Sequence, residues 1–164
     1  MLYRKPKNPE DIKYILENLR EQDRHEVLIQ RGKNFVEDLI NDIMTRDDYF
    51  VLGCKKSDNT PVCMGGCVKT AEHGVGIVWF LSTPEITEYK HCFFENLKKE
   101  FLLFDKDYWM TFNIIFCENK SAKSWLKKFG YKFDKTMPNI PKNFEFFYRT
   151  RKTRGLNSGT STRL

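Results

Sequence analysis

Residues 109–133 constrain the fold of this chain more than any other stretch. Trp109, Phe112, Ile114, Ile115 and Phe116 give residues 109–117 the aromatic and β-branched content of a strand. Glu118, Asn119 and Lys120 break it. Ala122, Trp125, Leu126 and Phe129 then recur at helical spacing, and Gly130 stands where a left-handed residue ends a helix. Residues 131–133 re-enter a strand. A strand, a polar break, a short helix, a glycine and a second strand make a βαβ-like corner. Such corners border ligand crevices at strand carboxyl ends, and they also serve plain α/β packing.

The rest of the chain supplies elements to pack around that corner. Leu2, Tyr3 and Arg4 read as a short first strand. Asn8, Pro9, Glu10 and Asp11 form a helix start, with a capping side chain, proline at the first position and acids near the positive end of the dipole. Ile12, Ile15, Leu16 and Leu19 then make one apolar stripe. Phe35, Val36, Leu39, Ile40, Ile43 and Met44 make a second after Gly32, so two amphipathic helices are expected before any long strand.

Three strands follow as a meander: residues 49–54, 62–69 and 75–81, with a turn near Glu72, His73 and Gly74. Gly65 and Gly66 in the middle strand suggest a bulge or a close approach. Ser82 or Thr83 is placed to cap the next helix, with Pro84 in its first turn and Tyr89, Phe93, Leu97 and Phe101 recurring along it. A loop marked by Pro138 and Pro141 and a last strand over residues 144–148 close the pattern.

At 164 residues, with 40% hydrophobic residues and fourteen Phe, the chain suits one packed domain rather than disorder. No run approaches the ~20 apolar residues of a membrane span, and the N-terminus has no signal-peptide core. A soluble, unsecreted protein is expected. The five cysteines are odd in number and scattered, as reduced thiols would be. Cys63 and Cys67, four apart on a strand, would hold their sulfurs about 13 Å apart, too far for one zinc, so no metal is expected.

Of the formal charge of +6, five units come from Arg149, Arg151, Lys152, Arg154 and Arg163, in a stretch without acids. The chain therefore divides into a nearly neutral domain over 1–148 and a basic, Gly/Ser/Thr-rich segment over 149–164, expected to be flexible. Such a segment suits an acidic partner surface or nucleic acid, or is simply a solvated end.

Asn119, Ala122, Gly130 and Tyr131 fall in the register Asn-x-x-Ala-x-x-Leu-Tyr-Glu-Lys-Leu-Gly-Phe. In this the chain resembles the Gcn5-related N-acetyltransferases (GNAT). The order of elements resembles that family over residues 1 to about 150. The resemblance implies a mixed α/β (α+β) fold: a central, mostly antiparallel twisted sheet of six or seven strands flanked by about four helices. It implies acetyl-coenzyme A lying where the strands at 75–81 and 109–117 splay apart. Leu81, Ser82 and Thr83, at the end of the first of these, and Asn119 and Ala122, after the second, are then the cofactor-binding candidates.

Two family features are missing. The glycine-rich loop that lets backbone amides approach a pyrophosphate is replaced by residues 81–92, which contain no glycine and carry Glu85 and Glu88. Leu126 stands where many active members have a tyrosine able to protonate the departing thiolate. For acid–base chemistry the candidates are His73, by titration range, and Tyr131, as a substitute phenol. Asn113 suits a bond to a substrate amide, and sheet polarity alone explains it equally well.

Trp79, Phe80, Leu81, Ser82 and Thr83, and Asn119, Ser121, Trp125, Leu126, Lys127 and Gly130, resemble more narrowly the GNAT-like internal virion proteins of short-tailed bacteriophages. That resemblance implies a degenerate acetyl-coenzyme A site, a role in virion assembly with other virion proteins as partners, and a place in the host cytoplasm or the particle. An active N-acetyltransferase with a non-standard loop and a nucleic-acid module driven by the basic segment are the alternatives.

Overall fold

The computed structural model describes residues 2–151. Strands β1 (Leu2–Lys5), β2 (Tyr49–Lys55), β3 (Pro61–Lys69), β4 (Val75–Ser82), β5 (Met110–Phe116), β6 (Lys132–Asp134) and β7 (Phe144–Thr150) form one sheet in the order β1-β2-β3-β4-β5-β7-β6. All neighbours are antiparallel except β4 and β5. That parallel step requires a crossover, which the helix between the two strands supplies.

Helices α1 (Pro9–Glu17), α2 (Glu21–Arg31) and α3 (Phe35–Thr45) precede β2. Asn8 caps α1 by accepting from the Asp11 amide at 2.9 Å, with Pro9 in the first turn. Its stripe of Ile12, Ile15 and Leu16 is fully buried against Leu52, Cys54 and Met64 of the sheet. Each of these side chains contributes about 1.5–3 kcal/mol by leaving water. The expectation of two helices here is corrected to three. The extra one, α2, buries only Asp23 and Val27, so it has no broad apolar stripe by which to be read.

On the opposite face, α4 (Lys90–Asp107) and α5 (Lys120–Lys128) enclose a core of Phe101, Phe104, Ile115, Leu126, Tyr131 and Phe147. The helix expected to start at a Ser82 or Thr83 cap instead begins as a 3-10 segment, Pro84–Tyr89, and neither side chain caps it. Ser82 is engaged elsewhere, and the Thr83 carbonyl accepts from the Ile86 amide at 3.2 Å in the tighter i to i+3 pattern. Gly130, at φ 83°, ends α5: its amide bonds to the Lys127 carbonyl and the Tyr131 amide to that of Leu126. Gly66 provides the close approach expected at the Gly65–Gly66 pair, since a Cβ there would lie 2.2 Å from the Tyr49 carbonyl oxygen. The irregularity in register lies at Gly53 and Cys54 of β2 instead.

β7 extends through Arg149 to Thr150. Arg149 pairs with Asp105, and the Arg151 guanidinium donates to the Asp105 carbonyl at 2.6 Å. The remainder of the basic segment, 152–164, lies outside the described residues. Among the described residues no helix is long and apolar enough to cross a membrane.

Candidate functional site

β4 and β5 pair only at Val75 with Met110, Gly76 with Thr111 and Ile77 with Phe112. From Val78 onward the two strands part. The freed Val78 carbonyl is taken by the Asn113 side chain, whose Nδ2 donates to it at 2.8 Å, while Asn113 Oδ1 accepts from the Ile114 amide at 2.7 Å. A ladder that ends inside a sheet leaves orphan backbone groups, and Asn113 satisfies one at the fork.

A cavity of about 390 Å³ occupies the fork and reaches both faces of the sheet. Trp79 and Phe50 line it on the side of α1–α3, Leu126 and Trp125 on the side of α5, and Glu26 and Asn119 at the open end. On the α5 side Trp125 forms an aromatic wedge, its ring 6.0 Å from those of Phe80 and Phe93 and 6.3 Å from that of Phe129.

α2 lies across the open end and is bonded to both arms. Asp23, 3% exposed, accepts at Oδ2 from the Ser82 amide at 3.0 Å and the Ser82 hydroxyl at 3.2 Å. Arg20 holds the same carboxylate with two hydrogen bonds of 2.7 and 2.8 Å, and its own amide donates to the Ser82 carbonyl at 3.0 Å. One turn further, Glu26 Oε1 accepts from Asn119 Nδ2 at 2.6 Å, and the His25 ring packs 4.6 Å from that of Phe116 at the end of β5.

Burial pushes the Glu26 carboxyl up to about 7. The Asn119 hydrogen bond and the Arg20 charge work against that rise, and the Asp23 charge works with it. Glu26 is thus a proton-exchanging group near neutrality inside the cavity. Sequence reasoning missed it, because α2 offers no apolar periodicity. The only local signal was the Arg20 and Asp23 spacing of three, which on a helix brings opposite charges together.

The residues singled out from sequence are distributed as follows. Leu81 lines the cavity. Ser82 and Thr83 are buried and do not line it, the Ser82 amide given to Asp23 and the Thr83 amide to the Val62 carbonyl at 2.9 Å. Asn119 caps α5 by accepting from the Ala122 amide at 3.2 Å, and both residues line the cavity. Glu85 is paired with Lys55 at 2.8 Å.

His73 sits in the exposed turn before β4, at the closed end of the fork, nine residues from Ser82, with the length of β4, about 23 Å, between them. Tyr131 is 4% exposed in the core behind the sheet, its hydroxyl 2.8 Å from that of Thr111, and burial pushes its phenol up to about 12. Neither side chain lines the cavity. Leu126 is in the core at 2% exposure.

All five cysteines are free, and burial pushes the Cys63 and Cys67 thiols up to about 12. Among the described residues no three His, Cys, Asp or Glu side chains are grouped to hold a metal ion.

A seven-stranded sheet forked between a parallel β4 and β5, with helices on both faces, defines the GNAT fold, and solved structures agree. The PaiA N-acetyltransferase of Thermoplasma acidophilum, determined in complex with coenzyme A, is 14% identical at a TM-score of 0.61, covering 92% of this chain and 99% of that one. A GNAT-family acetyltransferase of Staphylococcus aureus Mu50 is 14% identical at 0.67, with 92% and 99% covered. The ribosomal-protein-S18-alanine N-acetyltransferase of Escherichia coli is 6% identical at 0.66, with 96% and 98% covered. No protein-family model and no curated protein sequence matches this chain. At these identities the likeness establishes the fold.

Proposed function

We propose that this chain is a GNAT-fold protein that does not carry out acetyl transfer and serves as a virion or assembly component, as its resemblance to phage internal virion proteins implies. The observation that carries this reading is the Asp23 carboxylate on Ser82. In the GNAT fold the amides just after β4 hold the pyrophosphate of the cofactor. Here a buried anion of the chain itself takes the Ser82 amide and hydroxyl, and Val62 takes the Thr83 amide. An internal carboxylate and a pyrophosphate cannot share those donors. The Ser82 and Thr83 amides are therefore closed to that group.

Trp125, wedged against Phe80 and Phe93, and Leu126, without a transferable proton, support the same reading. Arg149 and Arg151 are engaged with Asp105, and Lys152, Arg154 and Arg163 give the rest of the basic segment a charge suited to docking on an acidic partner surface or nucleic acid.

The test has two parts. Incubation of the full chain with acetyl-coenzyme A and a panel of primary amines and peptides, followed by thiol release, is expected to give no turnover. Immunodetection in purified particles of the encoding phage is expected to find the protein. Turnover overturns the first half of the proposal, and absence from the particle overturns the second.

One observation favours the rival reading of an active N-acetyltransferase: the open fork with Glu26, a carboxyl near neutrality, in its cavity. Under that reading the same assay shows thiol release that Glu26→Gln abolishes.

A further inference from the structure

α2 contacts the sheet in an unusual way. Most surface helices are held by an apolar stripe, but α2 buries only Val27 and Asp23. Its attachment to the fork is polar, and it is made at two points one helical turn apart. Asp23 grips the end of β4 through Ser82, and Glu26 grips the corner after β5 through Asn119. Because residues three apart share one helix face, both carboxylates point to the same opening, each to a different arm. α2 is thus a bar across the mouth of the cavity rather than part of its floor.

We propose that α2 is a latch over the β4–β5 fork, closed at acidic pH and loosened towards neutral pH, with the Asp23–Ser82 contact as its constant hinge point and the Glu26–Asn119 contact as its proton-controlled catch. The proposal concerns access to the cavity and holds whatever occupies it, so it stands or falls separately from the absence of acetyl transfer.

The charges that face Glu26 decide the sign. On its own helix are Asp23, which disfavours a second negative charge, and Arg20, which favours it but is already committed to Asp23. From the β5–α5 corner come the Asn119 side-chain amide, which donates to the carboxyl at 2.6 Å, and the nearby Phe116 backbone; both favour the ionised form, and neither carries a charge. Glu26 has no cation of its own. Ionised in place, it is a half-buried carboxylate beside another carboxylate. Released into water, it ionises freely near its ordinary value of 4.5.

The closed form therefore binds the proton more tightly than the open form. Below 4.5 both forms are protonated and the latch is at full strength. Between 4.5 and about 7 the open form ionises first, and the open fraction rises by up to about tenfold per pH unit. Above about 7 both forms are ionised and the balance is flat.

Hydrogen–deuterium exchange of the full chain between pH 5 and 8.5, corrected for the intrinsic pH dependence of amide exchange, reads this directly. The α2 amides are expected to lose protection up to about pH 7 and then level off, while the Ser82 amide, held by Asp23, and those of α5 and β3 stay protected. Glu26→Gln keeps the hydrogen bond to Asn119 without a titrating group, and is expected to hold α2 closed across the whole range. Asp23→Asn is expected to lower α2 protection by about tenfold or more at every pH. An unchanged step in Glu26→Gln, a flat profile in the unsubstituted chain, or full α2 protection in Asp23→Asn overturns the proposal. If Asp23→Asn does not fold, the Glu26→Gln profile alone decides.

Discussion

Asn113 Nδ2 donates to the Val78 carbonyl at 2.8 Å, one residue beyond the last ladder position that β4 and β5 share. One side-chain amide thus occupies the place of the next rung and ends the pairing. The fork is a built feature with its orphan carbonyl satisfied, not frayed sheet. Asn113→Leu keeps the size but removes the donor and leaves that carbonyl bare. It is expected to cost about 1–3 kcal/mol, read as a lower urea midpoint with unchanged slope.

Asp23 is the most constrained charge at the fork, since it answers Arg20 and Ser82 together. Removing it strands a half-enclosed guanidinium, at 15% side-chain exposure, and a buried hydroxyl. Asp23→Ala is expected to cost about 3–5 kcal/mol by chemical denaturation. Arg20→Ala, which leaves the carboxylate without its cation, is expected to fall in the same range.

Tyr131 and Thr111 share a buried hydroxyl contact at 2.8 Å, away from the cavity. Tyr131→Phe is expected to destabilise by about 0.5–1.5 kcal/mol in thermal or urea unfolding. It should leave any ligand response of the cavity, followed by fluorescence of Trp79 and Trp125, unaltered. A changed ligand response would assign the phenol a role at the site.

Glu145, 2% exposed, is held by Lys123 at 2.9 Å and Lys135 at 3.3 Å. Burial by itself pushes its carboxyl up, but the hydrogen bonds from Lys123, Cys117 and Lys135 outweigh that and keep it below 4.5. A depressed carboxyl stabilises the fold above its unfolded value and loses that contribution as pH falls through the folded one. Lys123→Met is expected to cost about 2–4 kcal/mol at pH 7, and to cost less below pH 4, in urea unfolding followed by circular dichroism. An equal cost at both pH values would contradict the ion pair as the source.

The parts of the fold legible in sequence were those with a strong period or a strong stop. The 109–133 corner, the Asn8 cap, the three-strand meander and the Gly130 stop are all present, and the GNAT resemblance ordered them correctly into one fold. The fork itself was expected from that resemblance and not from any residue pattern, since Asn113 looks like an ordinary strand polar residue. α2 was hidden because its contacts are polar and distant in sequence. Asp23 meets Ser82 across 59 positions and Glu26 meets Asn119 across 93, and no local period encodes such pairs. For the same reason Ser82 and Thr83 read as caps with amides to spare, although those amides are spent inside the protein.

Asp23 takes the Ser82 amide and hydroxyl at the end of β4, and the proposed reading holds that this denies them to a pyrophosphate. Isothermal titration of the full chain with acetyl-coenzyme A and with coenzyme A, at pH 6 and pH 8, tests it most directly. The account predicts no saturable heat up to millimolar ligand at either pH. Saturable binding of either ligand in the micromolar range, weakened by adding inorganic pyrophosphate, would contradict it.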